Sequence, residues 1–181
     1  DQVAVAFGGL NKIEFHTDGK FHVKPLTVGL ERVDVLNNHL LLFFTGTQRY
    51  SSDIETEKIK VLDKKTAELY RMFEMVDESI EILTQKVFDY SRFGKLLHES
   101  WLLKRGLVDG VSNTTIDEAY GVAMKNGAIG GKILGAGGGG FLIMFAEPKF
   151  HQTIIDALSG MVHVPFKFEQ SGSHISALQK S

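Results

Sequence analysis

The stretch Gly127-Ala-Ile-Gly-Gly-Lys-Ile-Leu-Gly-Ala-Gly-Gly-Gly-Gly-Phe141 carries more information about the fold than any other part of this sequence. It holds eight of the chain's 19 glycines, and four of them are consecutive at its end. Glycine runs cost chain entropy on folding, so a stable protein keeps them where backbone must pass close to another group. Successive N–H groups without side chains form a concavity that binds anions. The sequence therefore predicts a phosphate-binding loop over 135–140, with a glycine turn between two packed strands as the alternative.

Three known glycine-rich loops do not account for this stretch. Gly135, Gly137 and Gly140 match the spacing of the dinucleotide-binding loop, but a strand rather than a helix is predicted after them. The Walker A loop requires Ser or Thr after Gly-Lys, whereas Ile133 follows Lys132. The lid of protein kinases precedes a Val-Ala-Ile-Lys strand, which this sequence lacks. The loop therefore needs a different explanation.

Helical and strand patterns alternate irregularly around the glycine-rich stretch. Asp18-Gly19 supplies the positive φ angles of a tight turn between two alternating segments, which predicts a β-hairpin. Continuous apolar runs predict buried strands over 40–44 and 141–145. Helices are predicted over 1–7, 62–87, 91–104, 115–125 and 149–159. The second of these has an apolar stripe predicted to face the core, formed by Leu62, Leu69, Phe73, Val76, Ile80, Leu83 and Val87.

The remaining segments complete a prediction of the fold class. Residues 28–38 are ambiguous, Val164, Phe166 and Phe168 alternate as a last edge strand, and the tail after Gln170 is expected to fray. Strands and helices that do not alternate strictly indicate an α+β fold, with a mixed or antiparallel sheet packed against helices. The sequence shows no internal boundary, so a single domain over 1–181 is predicted.

Composition narrows the functional classes. The formal net charge is −2, so there is no basic excess for binding nucleic acid or an anionic membrane. The chain has no cysteine, which excludes disulfides, zinc–thiolate sites and thiol catalysis. No apolar run approaches the roughly 20 residues of a membrane helix. These properties favour a cytoplasmic enzyme or binding module. The seven histidines show no spacing typical of metal ligands, so no protein-built metal site is predicted.

Three segments in order resemble the GHMP kinases, the superfamily of galactokinase, homoserine kinase, mevalonate kinase and phosphomevalonate kinase. The loop 132–141 resembles the third signature of that family, and 111–117 lies at the spacing expected before it. Asp1-Gln2 followed by Gly8-Gly9 looks like the segment that carries an active-site aspartate. Within the superfamily, 97–105 and 112–117 are most similar to D-glycero-α-D-manno-heptose 7-phosphate kinases, followed by L-fucokinases.

The resemblance implies a fold, an activity and a missing part. It implies the C-terminal portion of a kinase whose N-terminal nucleotide-binding half lies upstream, so that the chain alone is expected to be inactive. The implied reaction transfers the γ-phosphoryl group of ATP, with Mg²⁺, to the anomeric hydroxyl of D-glycero-D-manno-heptose 7-phosphate. An L-fucokinase-like sugar kinase and a catalytically silent fragment or binding module are the alternatives. Without its upstream half, the face carrying Asp1 and the hairpin should present an apolar patch or a self-association contact, which would make the chain a homo-oligomer.

The resemblance also implies roles for individual residues. Asp1 would be the catalytic residue, acting on the acceptor hydroxyl as a base or as an orienting charge. Lys132 and the loop would bind nucleotide and phosphate, the loop residues being Gly135, Ala136, Gly137, Gly138, Gly139 and Gly140. The sugar phosphate would contact Arg49, His98, Trp101, Lys104, Arg105, Ser112 and Asn113. Mg²⁺ would be held largely by the nucleotide phosphates.

Several of these residues also have a purely structural interpretation. His98, Trp101 and Arg105 fall within about a 100° arc of one helix, where an aromatic ring beside cations suits a sugar phosphate. Trp101 could equally lie in the core, with Lys104 and Arg105 complementing the dipole at the helix C-terminus. Lys132 could be a surface lysine and Arg49 a solvated loop arginine, and the sequence leaves these alternatives open.

Overall fold

The computed structural model describes residues 2–46 and 62–174. The first part contains α1 (Gln2–Phe7), β1 (Asn11–Phe15), β2 (Phe21–Pro25), α2 (Leu30–Asn38) and β3 (Leu40–Phe44). The second part begins with a short 3-10 turn at Leu62–Lys64 and continues with α3 (Thr66–Thr84), α4 (Tyr90–Arg105), α5 (Thr114–Lys125), β4 (Ala128–Ile133) and β5 (Phe141–Ala146). A second 3-10 turn (Pro148–Phe150), α6 (His151–Ala157) and β6 (Val162–His163) complete it.

The strands form two antiparallel sheets, which confirms the predicted α+β class. Strands β1 and β2 form the hairpin predicted from Asp18-Gly19, with Gly19 at φ +82° in its turn. The larger sheet has the order β4-β5-β3-β6. Alternate residues of β3 and β5 are buried in the main core, which also contains side chains of α4, α5 and α6. The ambiguous segment is the helix α2.

Strand β4 is an element that the sequence did not predict. No element is predicted between Gly127 and the loop at 135–140, but residues Ala128–Ile133 form a strand at the edge of the larger sheet. Helix α4 packs closely against it, because a Cβ added to Gly130 would lie 2.1 Å from the carbonyl oxygen of Gly94. Gly130 is therefore explained by helix–strand packing, and the loop proper begins after Ile133.

Helix α3 is shorter and oriented differently from the prediction. It ends at Thr84, and its fully buried residues are Met75, Ile82 and Leu83. Phe73 and Val76, predicted to face the core, are 69% and 43% exposed. The prediction for these two residues was wrong because apolar residues occur on more than one side of this helix, and periodicity alone does not say which side is covered.

The C-terminal segment also differs from the prediction. The last strand is only Val162–His163, since Pro165 has no N–H to continue the ladder. The tail up to residue 173 does not fray. The N–H of Gly9 donates to the carbonyl of Glu169 at 3.1 Å, and the N–H of Ser173 donates to the carbonyl of Ala6 at 3.1 Å. The tail therefore docks against α1.

The predicted apolar face is present on α1 and the hairpin. Val5 and Phe7 of α1, and Phe15 and Phe21 of the hairpin, are all more than one-third exposed. Phe21 contacts both Phe7 and Phe15, so these rings form a continuous surface.

None of the helices among the described residues combines the length and apolarity needed to span a bilayer.

The hairpin brings together three side chains that the spacing along the chain does not associate. Potential ligand atoms of Glu14, His16 and His22 lie within 4.8 Å of one another. Their proximity comes from the cross-strand register that the turn imposes.

Candidate active site

The glycine loop 134–140 connects β4 to β5 and is fixed beside the N-terminus of α5. The N–H of Gly138 donates to the carbonyl of Val111 at 2.9 Å. Asn113 caps α5 by accepting a hydrogen bond from the N–H of Ile116 at 3.0 Å, while its Nδ2 donates to the carbonyl of Gly138 at 3.1 Å. One side chain therefore caps the helix and holds the loop where the helix dipole favours an anion.

Glycine is required in this loop for two reasons. Gly135, Gly137, Gly138 and Gly140 all have positive φ, between +70° and +115°, which favours glycine over other residues. A Cβ added to Gly137 would also lie 2.7 Å from the carbonyl oxygen of Val111, whereas one added to Gly135 or Gly140 would meet no atom of residues 2–46 and 62–174 within 4 Å. Among these residues, the loop is thus packed on one side and open where Gly135 and Gly140 lie.

The two ends of the loop have separate anchors. The carbonyl of Gly140 accepts hydrogen bonds from the N–H of Thr45 at 2.9 Å and from its Oγ1 at 3.0 Å. Thr45 is a residue to which the sequence analysis gave no role. The sequence feature that indicates this role is the position of Thr45 directly after the buried strand β3. Because β3 pairs with β5, it ends beside the loop.

Lys104 forms the other anchor, which corrects its predicted role in binding sugar phosphate. This lysine is buried, and its Nζ donates to the carbonyl of Ile133 at 3.0 Å and to that of Gly135 at 2.5 Å. Its ammonium therefore holds the start of the loop through hydrogen bonds to two backbone carbonyl oxygens. An unpaired buried charge would be costly, so these carbonyls explain how Lys104 is tolerated in the interior.

Trp101 also does not fit its predicted role. Its side chain has no exposed surface and lies in the main core beside Tyr120, so the ring cannot cover a sugar. The core interpretation replaces the sugar-binding one. His98 is half-buried on the same helix, where its Nδ1 and the Tyr120 hydroxyl are 2.6 Å apart and the two rings stack. Burial raises the pKa of the Tyr120 hydroxyl above its usual range, so it stays protonated.

Arg105 and Ser112 meet at one carboxylate beside the loop. Arg105 Nη1 lies 3.0 Å from Asp117 Oδ1, and Ser112 Oγ donates to the same oxygen at 2.7 Å. Asp117 lies in the first turn of α5, where its charge is favourable to the helix dipole. The structure therefore brings Arg105, Ser112 and Asn113 together at this helix terminus, on the partly exposed flank of the loop.

Lys132 lies in β4, just before the loop, and is half-buried. Burial lowers the pKa of its ammonium. Within the part of the chain that the structure describes, no hydrogen bond or ion pair holds this ammonium. Two other predicted site residues, Asp1 and Arg49, lie outside the described residues.

The arrangement as a whole is suited to holding an anion against backbone. It combines a loop with a side that no described residue covers, the N-terminus of a twelve-residue helix, and Arg105, which pairs with Asp117 in the first turn of that helix. The N–H of Gly138 already donates to the carbonyl of Val111. It is therefore not free to donate to a phosphate, contrary to the predicted role of Gly138.

Comparison with known proteins identifies the class to which this architecture belongs. Residues 79–162 match the family described as GHMP kinases C terminal, and this range includes α4, α5 and the glycine loop. The chain thus contains a GHMP kinase C-terminal domain, as the three segments predicted.

Particular relatives are kinases of sugars and sugar phosphates. The chain is 34% identical over 161 residues to the D-glycero-alpha-D-manno-heptose 7-phosphate kinase of Campylobacter jejuni, covering 87% of this chain and 47% of that protein. It is 26% identical over 132 residues to the bifunctional fucokinase/GDP-fucose pyrophosphorylase of Arabidopsis thaliana, covering 71% and 12%. A crystal structure of a D-glycero-D-manno-heptose 1-phosphate kinase from Bacteriodes thetaiotaomicron matches with TM-score 0.64 and 26% identity, covering 98% and 49%. The chain spans about half the length of the two heptose kinases.

Proposed function

We propose that this chain is the C-terminal part of an ATP-dependent sugar kinase that phosphorylates a heptose phosphate. The observation that carries the proposal is the glycine loop, which is held by Lys104, Asn113 and Thr45 beside the N-terminus of α5. Three anchors on a loop of seven residues restrict its conformations. Restriction before binding is what a phosphate site requires, because phosphoryl transfer depends mainly on positioning and charge neutralisation.

The proposed chemistry assigns the described residues to binding and orientation. N–H groups of the loop and the dipole of α5 would bind phosphate oxygens, and Arg105 would release Asp117 to pair with an added phosphate. When bound, MgATP supplies the phosphoryl group and the divalent charge that neutralises it. We further propose that Asp1 lies beside the acceptor hydroxyl and removes or orients its proton.

The proposed acceptor is the anomeric hydroxyl of D-glycero-D-manno-heptose 7-phosphate. Support comes from 34% identity over most of the chain to a kinase with that substrate in its name. The name of the solved structure gives a 1-phosphate instead, so the position of transfer is the point that an experiment must determine. A sugar that already bears a phosphate would also suit the two groups that lie close together here, the Arg105 guanidinium and the N-terminus of α5.

One further candidate function has an observation in its favour. The match to the Arabidopsis protein supports an L-fucokinase-like activity.

Two measurements distinguish these functions. A coupled assay on the chain together with its nucleotide-binding half should show ADP release with heptose 7-phosphate and none with L-fucose. Phosphorus NMR of the product should then show a second phosphate at the anomeric carbon. Turnover of fucose alone would contradict the heptose assignment, and calorimetry of the 181-residue chain with MgATP tests whether this part binds nucleotide without the other half.

A further inference from the structure

The polar face of the hairpin brings three potential metal ligands together. Glu14 lies in β1 and His16 directly follows the last residue of that strand, so alternation along the extended backbone places both side chains on the same face. His22 is directly opposite Glu14 in the antiparallel register. The His16 Nε2 and His22 Nδ1 atoms are 3.1 Å apart, and all three potential ligand atoms lie within 4.8 Å of one another. This geometry follows from the turn at Asp18-Gly19.

The donor set indicates which class of ion would bind. Two imidazole nitrogens and one carboxylate oxygen suit Zn²⁺, Ni²⁺ or Cu²⁺, whereas Mg²⁺ and Ca²⁺ prefer sites made of oxygen atoms. Three protein ligands leave at least one coordination position for water. Both histidines are exposed, so an ion can reach them without rearrangement of the core.

Two lysines compete with an ion for the carboxylate, and their other contacts differ. Lys24 Nζ lies 2.8 Å from Glu14 Oε2, and Lys12 Nζ lies 3.5 Å from Glu14 Oε1. Lys12 also pairs with Asp77 of α3 at 2.6 Å and keeps that partner if Glu14 turns toward an ion. No ion pair with another described residue is recorded for Lys24, so Lys24 is the main competitor.

We propose that the hairpin binds one divalent transition-metal ion, of the Zn²⁺ class, through Glu14, His16 and His22. The ion bridges the two strands across their turn and stabilises the hairpin that presents Phe15 and Phe21 to solvent. The site is separate from the glycine loop and does not depend on the proposed kinase activity.

The test uses the 181-residue chain without a histidine tag. Calorimetric titration with ZnCl₂ should show one saturable site, and Co²⁺ should give d–d absorption bands in the visible region. His16→Ala and His22→Ala should each weaken binding at least about tenfold, the lower end of what loss of even an outer-shell partner costs. His174→Ala removes an exposed histidine outside the cluster and should leave binding unchanged.

A charge variant gives a result in the opposite direction. Lys24→Gln should tighten Zn²⁺ binding, because Glu14 loses its competing partner. Lys20→Gln makes the same charge change on the same hairpin but removes a lysine that pairs with Asp18, so it should have little effect. Absence of saturable binding to the wild-type chain, or equal binding by a His16→Ala/His22→Ala double variant, would overturn the proposal. Equal affinities of the two lysine variants would overturn the competition that the geometry requires.

Discussion

Strand β4 and the loop that follows it both use glycine, but the physical reasons differ. In the strand, Gly130 has no left-handed φ and is needed because the backbone of α4 approaches it to within contact distance. In the loop, Gly135 and Gly140 have left-handed φ and open space around them. Gly137 has both properties. The comparison shows that glycines of one glycine-rich stretch can meet two requirements, close packing in the strand and left-handed backbone in the loop, which substitutions can separate.

The largest effect is expected from Gly130→Ala. Its new Cβ would meet the backbone of Gly94, which cannot rotate away as a side chain could, so the free energy of unfolding should fall by about 3 kcal/mol. Urea unfolding measures this change. Gly121→Ala is the matched control, because Gly121 lies inside α5 with nothing near it and should gain about 1 kcal/mol. Similar stabilities of the two variants would contradict the close packing of α4 on β4.

The next largest effect should distinguish two loop glycines. Gly137→Ala combines left-handed φ with a contact to Val111 and should cost about 2–3 kcal/mol. Gly135→Ala has the backbone strain alone and should cost about 1 kcal/mol. Both values come from the same denaturation experiment. If Gly135→Ala proves the more damaging of the two, the loop is not packed as described.

Lys104→Met tests the anchor at the beginning of the loop. The variant keeps the apolar stem but leaves the carbonyls of Ile133 and Gly135 without this donor, which should cost about 2 kcal/mol. Lys95→Met changes an exposed lysine of the same helix and should be nearly neutral. Equal effects would show that the ammonium of Lys104 does not stabilise the loop.

Two substitutions of Asn113 distinguish its role as the cap of α5 from its role as an anchor of the loop. Asn113→Ala removes both interactions and should cost about 1 kcal/mol or slightly more. Asn113→Asp keeps the oxygen that accepts from Ile116 but loses the donor to Gly138, so it should retain most of the stability. Amide hydrogen exchange should nevertheless become faster at Gly138. Unchanged exchange at Gly138 would mean that the loop does not depend on this side chain.

The smallest effect concerns Lys132 and pH. Because burial lowers its pKa below 10.5 in the folded state, the unfolded chain binds more protons between the two pKa values. The free energy of unfolding contributed by Lys132 therefore rises with pH in that window. Lys132→Met should be about 0.5 kcal/mol more stable than wild type near pH 7, and the difference should shrink as the pH approaches 10.5. Lys167→Met, at an exposed position, should show no such convergence.

Features with a local cause could be predicted from the sequence. The hairpin follows from Asp18-Gly19, and strands β3 and β5 follow from continuous apolar runs. The order and spacing of the three segments also predicted the GHMP family, and the family match over residues 79–162 confirms it.

Features that depend on tertiary partners could not be predicted. Helical spacing placed Trp101 and Lys104 near one another, but nothing local indicates that the core lies on their side or that carbonyls of the loop meet the ammonium. Strand β4 was missed because Gly130 and Gly131 interrupt the apolar pattern by which a strand is identified. The proximity of His16 and His22 follows from the register of the predicted hairpin, whereas spacing along the chain alone does not indicate it.

The docking of the tail on α1 has a consequence for how the protein would respond to proteolysis. Helix α1 has no fully buried side chain, and a Cβ on Gly172 would lie 2.1 Å from the carbonyl oxygen of Ala6, so backbone of the tail lies directly against it. An enzyme that trimmed the chain back to Phe168 would remove these contacts and release the helix that begins at Gln2. Loss of the tail would therefore destabilise a helix that lies far away in the sequence, since Phe168 comes 160 residues after Gly8.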